Sequence, residues 1–310
     1  MTSWHNSSSE YISILPEIAE AFRDGKPIVA LESTVITHGL PFPENGELAK
    51  NLEEEVRKKD CTPATIAVLD GIICVGVDDR QLERLALSKD MHKISSRDIA
   101  PAVEKHESGG TTVAGTLSIA QEVGIKVFAT GGIGGVHRQA PFDISADLGQ
   151  LGRSQLVVVC AGAKAILDIP ATLEVLETNG VPIIGYKTDE FPGFYSVSSG
   201  MGVSARVDSA EEVANLAKIH WDLGMPSAVL VAVPPPAEIA LEIDSVEAAI
   251  QSALLEAQKK NIHGQGVTPF LLRRVSELTG GTSLRANLGL LRNNVRVAAE
   301  IAHFILSKPV

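Results

Sequence analysis

Two apolar segments decide the class of fold: Gln-Leu-Val-Val-Val-Cys at residues 155–160 and Ala-Val-Leu-Val-Ala-Val at residues 228–233. Short runs of this kind, rich in β-branched residues, are typical of strands buried on both faces of a parallel sheet. Helical patterns precede and follow both segments. Such alternation predicts an α/β protein with three α/β/α layers and a largely parallel central sheet.

The same alternation extends over most of the chain. The predicted strands occupy residues 27–34, 65–69, 72–77, 126–130, 155–160, 181–186 and 228–233. The predicted helices occupy residues 12–22, 43–59, 112–123, 163–178, 209–223, 244–260, 268–278 and 284–307, with a short helix starting near Asp143. The dipeptide Asp70-Gly71 indicates a tight hairpin. We expect a disordered tail over residues 1–10, a single domain over 11–310, and C-terminal helices packed back on the sheet.

Composition excludes several classes of function. A net charge of −11 argues against a nucleic-acid partner, which would normally require a basic stripe. The longest apolar runs are too short to cross a bilayer, and the N-terminal segment lacks the pattern of a signal peptide. Three cysteines have spacings that suit neither disulfides nor zinc, so we expect buried free thiols and a cytoplasmic protein.

Glu32 is the first candidate for chemistry. In open parallel sheets, ligands bind beyond the carboxyl ends of the strands. Glu32 lies near the end of the first long strand, inside an apolar stretch, where desolvation would raise its pKa and suit it to acid–base catalysis. The alternative is a structural carboxylate that caps a helix or pairs with an arginine.

Lys164 is the second candidate. It follows strand 155–160 by four residues and falls in the first turn of the helix predicted for residues 163–178. A helix N-terminus and burial both lower the pKa of an amine, as a Schiff-base lysine requires. The alternative is a lysine that holds an anionic ligand as a point charge.

Glycine-rich segments indicate an anion site. The segment Gly-Gly-Ile-Gly-Gly-Val-His-Arg at 131–138 would bring backbone N–H groups close to an oxyanion, with His137 and Arg138 as further donors. Gly109-Gly110 is interpreted as a turn into a helix N-terminus, and Lys93 as an added charge. The alternatives are an ordinary tight connection and a solvated surface lysine.

Asp143 and Asp147 are candidates for a metal site. A spacing of four residues would place both carboxylates on one face of the short predicted helix. Oxygen ligands of this kind suit magnesium or manganese. The alternative is that Asp143 caps the helix and Asp147 is solvated.

Taken together, six segments resemble the pseudouridine-5′-phosphate glycosidase family. They are Ala-Leu-Glu-Ser-Thr-Val-Ile-Thr-His-Gly (30–39), Gly-Gly-Thr-Thr-Val-Ala-Gly-Thr (109–116), Ala-Thr-Gly-Gly-Ile-Gly-Gly-Val-His-Arg (129–138), Phe-Asp-Ile-Ser-Ala-Asp-Leu (142–148), Val-Cys-Ala-Gly-Ala-Lys (159–164) and Ser-Leu-Arg-Ala-Asn-Leu (283–288). The likeness runs in the same order from about residue 15 to residue 307.

This resemblance implies a reaction and a site. The family reversibly converts pseudouridine 5′-phosphate and water to uracil and ribose 5-phosphate. Its pattern implies a Lys164 imine to C1′ of the ring-opened ribose, Glu32 as proton donor and Mn²⁺ near Asp143, in a homotrimer. The implied substrate contacts are Lys93, Thr112, Val113, Thr130, His137, Ser145, Ala146, Asp147 and Asn287.

Two rival functions would use the same residues. An aldolase-like Schiff-base lyase would need the lysine and a phosphate site but no nucleobase pocket. A non-catalytic sugar-phosphate-binding protein would need no acid beside its lysine. A sensor of that kind should also carry a DNA-binding element, and none is visible in the sequence.

Overall fold

The computed structural model describes residues 10–138, 140–262 and 266–306. The tail expected over residues 1–10 therefore lies outside the described residues, apart from Glu10. The helices are α1 (Pro16–Asp24), α2 (Glu44–Arg57), α3 (Asp79–Leu87), α4 (Ile99–Glu104), α5 (Val113–Val123), α6 (Ala146–Leu151), α7 (Ile169–Thr178), α8 (Ala210–Asp222), α9 (Ile243–Lys259), α10 (Val267–Leu278) and α11 (Thr282–Ala302).

The strands are short, as the apolar runs predicted. They are β1 (Ile12–Ile14), β2 (Ile28–Leu31), β3 (Thr62–Leu69), β4 (Ile72–Val75), β5 (His92–Ile94), β6 (Gly109–Thr111), β7 (Val127–Ala129), β8 (Val136–His137), β9 (Ala140–Ile144), β10 (Val157–Cys160), β11 (Leu167–Asp168), β12 (Ile183–Tyr186), β13 (Glu190–Phe191), β14 (Met201–Gly202), β15 (Ala205–Val207) and β16 (Val229–Ala232).

The central sheet has the strand order β1-β4-β3-β2-β7-β10-β16-β12-β15. Every neighbouring pair along this order is parallel except the hairpin β3–β4. Strands β10 and β16 are buried along their whole length, because helices surround the sheet. Helix α11 packs back against β2, β7 and β10. These features confirm the predicted α/β class and the largely parallel sheet.

Local sequence explains several element boundaries. Asp70 and Gly71 both have positive φ angles (52° and 78°), so they form the tight β3–β4 hairpin that the dipeptide predicted. Thr112 caps the N-terminus of α5 by accepting a hydrogen bond from the backbone N–H of Gly115. Among the described residues, no helix is both long and apolar enough to cross a membrane.

Some predicted boundaries are wrong. Residues 12–14 form strand β1, paired with β4, and the first helix begins only at Pro16, whose fixed φ suits a first helical position. The helix predicted for 163–178 begins at Ile169. The short helix expected from Asp143 begins at Ala146, and Asp143 itself lies on β9. Tertiary pairing overrode the local helical pattern in each case.

Candidate active site

A cavity of about 390 Å³ lies beyond the carboxyl ends of β2, β7 and β10. The residues that the family resemblance implies for catalysis, substrate binding and metal binding line this cavity: Glu32, Lys93, Thr112, Val113, Thr130, His137, Asp143, Ser145, Ala146, Asp147, Lys164 and Asn287. Parallel strands bring their carboxyl ends to one edge, which is why segments distant in sequence meet here. The structure shows that these residues are together, while their individual roles remain predictions.

Glu32 is half-buried and follows the last residue of β2. One of its carboxylate oxygens accepts a 2.5 Å hydrogen bond from Thr130 Oγ1. Burial raises the pKa of Glu32, although the positive charge of Lys164 and the Thr130 hydrogen bond act in the opposite direction. The carboxyl group therefore keeps its proton to a higher pH than an exposed glutamate, which suits a proton donor.

Thr130 is itself held by a residue that the sequence analysis missed. The Nδ2 atom of Asn294, fully buried on α11, donates to the backbone carbonyl oxygens of Thr130 (2.9 Å) and Gly131 (3.3 Å). Asn294 thereby fixes the main chain that carries the partner of Glu32. A polar residue at an apolar position of an amphipathic helix is the signal that could have revealed it.

Lys164 lies in a loop, five residues before α7 begins. The prediction that it occupies the first turn of a helix is therefore wrong, and the helix-dipole argument for its reactivity does not apply. Its backbone N–H donates to the carbonyl oxygen of Ile133 (3.0 Å), which ties this loop to the glycine segment. Burial and the positive charge of Lys164 together lower the pKa of Lys93 across the cavity.

Asp147 connects two elements of the cavity wall. Its Oδ1 accepts from the backbone N–H of Ala114 (2.9 Å), and its Oδ2 accepts from that of Gly134 (2.8 Å). Since both oxygens bind backbone N–H groups, Asp147 fixes the N-terminus of α5 against the glycine segment. It does not share a helix face with Asp143, so the predicted two-carboxylate arrangement is wrong.

The chain resembles known proteins along nearly its whole length. The family model described as indigoidine synthase A like protein matches residues 17–304. A pseudouridine-5′-phosphate glycosidase of Herpetosiphon aurantiacus is 52% identical over 93% of this chain and 96% of its own. One of Geobacillus kaustophilus is 50% identical over 95% and 98%.

Solved structures share the fold as well as the sequence. The prealnumycin C-glycosynthase AlnA, solved in complex with ribulose 5-phosphate, is 39% identical, with a TM-score of 0.88 over 96% of this chain and 97% of its own. An indigoidine synthase A-like protein of Thermotoga maritima is 36% identical, with a TM-score of 0.88 over 97% and 98%.

This chain belongs to the pseudouridine-5′-phosphate glycosidase family. It is an enzyme, because relatives that match it over nearly their whole length are enzymes.

The family resemblance implies a manganese ion. Asp143 could hold such an ion only if water molecules supplied most of its other ligands. Among the described residues, no three His, Cys, Asp or Glu side chains are grouped to hold a metal. Asp143 is exposed at the cavity wall. Hard divalent cations often bind through one or two carboxylates and keep several water ligands, and a single carboxylate of this kind meets that requirement.

The glycine segments differ from the prediction. Gly109 and Gly110 belong to β6, which pairs with β3 and β5, so they do not form a turn. In segment 131–138, the N–H groups of Gly134 and Val136 bind side chains of the protein. A Cβ on Gly134 would lie 2.3 Å from Ser145 Oγ, so close packing requires glycine there.

Several residues that line the cavity were not singled out by the sequence analysis. They are Thr34, His38, Ser95, Arg97, Phe194 and Leu291. Burial and the positive charge of Lys93 lower the pKa of His38. The apolar Phe194 and Leu291 both lie against the glycine segment. These residues come from separate parts of the chain, and only the tertiary fold brings them to one wall.

Proposed function

We propose that this enzyme reversibly cleaves the carbon–carbon glycosidic bond of pseudouridine 5′-phosphate to give uracil and ribose 5-phosphate. The activity for which the relatives are named and the ribulose 5-phosphate bound by AlnA support this choice. The observation that carries the proposal is that the amine of Lys164 and the carboxyl group of Glu32, with its raised pKa, line one cavity.

Substrate binding would use two kinds of surface in the cavity. Lys93 and Arg97 supply positive charge for the phosphate group. Phe194 and Leu291 supply apolar surface on which the planar base can lie. Binding energy from the phosphate, remote from the reacting carbon, can then hold C1′ beside Lys164.

The chemistry would proceed through covalent catalysis by Lys164. Its Nζ bonds to C1′ while the bond from C1′ to the ring oxygen breaks, and that oxygen takes up a proton. The nitrogen lone pair then forms a C=N bond as the C1′–C5 bond breaks. The electron pair of that bond passes to the uracil ring, which gains a proton at C5 from Glu32. Water hydrolyses the imine and releases ribose 5-phosphate.

A divalent cation, manganese in this proposal, would be held by Asp143 together with water. When bound, it would supply positive charge that stabilises the uracil as it accepts electrons. Glu32 and Lys164 perform the proton and covalent steps.

We further propose a cytoplasmic homotrimer. Large apolar side chains stand exposed at several surface positions, among them Leu223 (71% exposed) and Ile219 (60%) on and just after α8. Association of copies of the chain could bury such surface. Sedimentation equilibrium would measure the mass directly, and a monomer at micromolar concentration would contradict this part of the proposal.

Trapping of the imine tests the proposal. Borohydride added with ribose 5-phosphate should leave a stable pentose phosphate adduct, and peptide mapping should place it on Lys164. Lys164→Arg keeps the charge but is too basic to form an imine, so we expect no uracil release from pseudouridine 5′-phosphate. The matched variant Lys187→Arg alters a lysine that stacks on Tyr186 outside the cavity, and it should stay active.

Two results would reject the mechanism: turnover by Lys164→Arg, or an adduct on another lysine. Cleavage of simple ketose phosphates without uracil release from the nucleotide would favour the aldolase-like lyase. Binding of a sugar phosphate without any turnover would favour the non-catalytic protein.

A further inference from the structure

Arg138 ends the glycine segment, but its side chain does not serve the substrate in the way the sequence suggested. It lines a second cavity of about 530 Å³ rather than the active-site cavity. Its Nε donates to the carbonyl oxygen of Leu167 and its Nη2 to that of Ala165, both at 3.0 Å. Its Nη1 binds the carboxylate of Glu247 on α9.

These contacts hold the loop that carries Lys164. Residues 164–166 form a loop before α7, and Leu167 and Asp168 form the short strand β11, which pairs only with the two residues of β8, so no helical hydrogen-bond ladder fixes this segment. Leu167 lines both cavities, which means that the loop separates them. Residues Ala165 and Leu167 are 5% and 2% exposed, so without Arg138 their carbonyl groups would lose buried hydrogen-bond donors.

We propose that Arg138 is a positioning residue that, together with the β8–β11 pairing, fixes segment 164–168 through the carbonyl groups of Ala165 and Leu167, and so aims the amine of Lys164 at the reacting carbon. This inference rests on the proposed function. It assigns Arg138 no contact with the substrate.

The chemistry of the side chain fits this role. A guanidinium group has five N–H donors in a rigid plane, so it can bind two carbonyl oxygens and a carboxylate at once. A lysine at the same place would keep the charge but could not hold the three acceptors in fixed directions. Arg138 is only 20% exposed, and the ion pair with Glu247 compensates its charge where solvent access is limited.

The position of α9 gives the contact a second consequence. Helix α9 packs on α10, whose Pro269 and Leu272 line the active-site cavity. Glu247 thus anchors Arg138 to the same helical pair that forms one wall of the site. The Arg138 guanidinium group thus connects the segment that carries Lys164 to α9, which packs on that wall.

Steady-state kinetics on Arg138→Lys test the inference. A misplacement of about 1 Å at a reacting group can cost roughly 10²-fold in rate, so kcat for uracil release should fall by about 10- to 100-fold. The KM for pseudouridine 5′-phosphate should stay within about threefold, because the variant leaves the binding residues in place. The rate of borohydride trapping at saturating ribose 5-phosphate should fall in parallel with kcat.

The matched control is Arg206→Lys. Arg206 also forms ion pairs with two carboxylates, those of Asp189 and Asp208, but it lies on the surface away from the cavity. Its kcat and KM should be unchanged. A second variant, Glu247→Ala, removes the ion pair of Arg138 at a partly exposed position of α9, where the substitution should be tolerated. It should lower kcat without raising KM.

The outcomes separate this inference from the proposed function. Wild-type protein without uracil release would reject the function itself. Active wild type with Arg138→Lys within about twofold in kcat, or with a change confined to KM, would overturn the positioning role. If Arg138→Lys does not fold, Glu247→Ala decides: normal kcat in that variant overturns the inference, and a reduced kcat at constant KM supports it.

Discussion

Replacing Thr130 with valine tests the electrostatics of the proposed acid. The Thr130 hydroxyl donates to Glu32 Oε1 at 2.5 Å, and a donor at this place stabilises the ionised carboxylate more than the neutral acid. Valine has nearly the same shape but no donor. The main chain should stay in place, because Asn294 still binds the carbonyl oxygen of residue 130.

The expected direction and size of the change in the Glu32 pKa follow from this hydrogen bond. Loss of the hydroxyl should raise the pKa of Glu32 further above its usual value. A hydrogen bond to a charged group contributes about 1.5–3 kcal/mol, and 1.36 kcal/mol corresponds to one pH unit. As the proton donor, Glu32 acts in its protonated form, so activity falls as pH rises through its pKa. The basic limb of the kcat profile should move to higher pH by about one to two units.

The assay is uracil release from pseudouridine 5′-phosphate across the pH range, for wild type and Thr130→Val. Thr65→Val is the matched control, because Thr65 Oγ1 donates to the buried Glu53 at 2.6 Å outside the cavity. It removes an equivalent bond and should leave the profile unmoved. A basic limb of Thr130→Val that stays in place, or moves to lower pH, would refute the assignment of that limb to Glu32.

Three further predictions concern stability, packing and the metal. Because the pKa of Glu32 is raised in the folded state, ionisation of its carboxyl group destabilises the fold as pH rises above the unfolded pKa of 4.5. The Tm of Glu32→Gln relative to wild type should therefore rise as pH increases above about 4.5. A flat difference in thermal melts would contradict this. Gly134→Ala should lower the free energy of unfolding by about 1–3 kcal/mol and remove most activity, because the added Cβ clashes with Ser145. Gly149→Ala is the control: there is open space around its Cβ, so its stability should be unchanged or higher. Asp143→Ala should abolish activation by Mn²⁺ with little change in Tm; full wild-type activity in excess chelator would remove the metal from the mechanism.

The order of elements was largely predictable from the chain alone. The apolar runs at 155–160 and 228–233 became buried central strands, and Asp70-Gly71 became the hairpin turn. Such features depend on residue type and spacing over a few neighbours. Local patterns failed at 12–14 and 163–168, because strand pairing with β4 and hydrogen bonds to the glycine segment stabilise conformations that periodicity does not encode.

Many of the residues around the cavity were also predictable, but the hydrogen bonds between them were not. Motif resemblance named Glu32, Lys164 and ten further cavity residues, because a family pattern records which residues occur at a site. It does not record which atoms touch. The sequence suggested that Asp147 binds metal or solvent, whereas the structure gives both of its oxygens to backbone N–H groups.

By itself, the sequence determined the fold class, the family and the identities of many of the residues around the cavity. Only the tertiary structure decided that Thr130 binds Glu32, that Asn294 holds Thr130, and that Arg138 turns away from the substrate towards the carbonyl groups beside Lys164. The physical reason is that hydrogen bonds are directional, whereas hydrophobic burial is not. Hydrophobic patterning specifies which segments are buried, while a hydrogen bond requires its two atoms within about 3 Å at a narrow range of angles, and that geometry exists only after distant segments have packed.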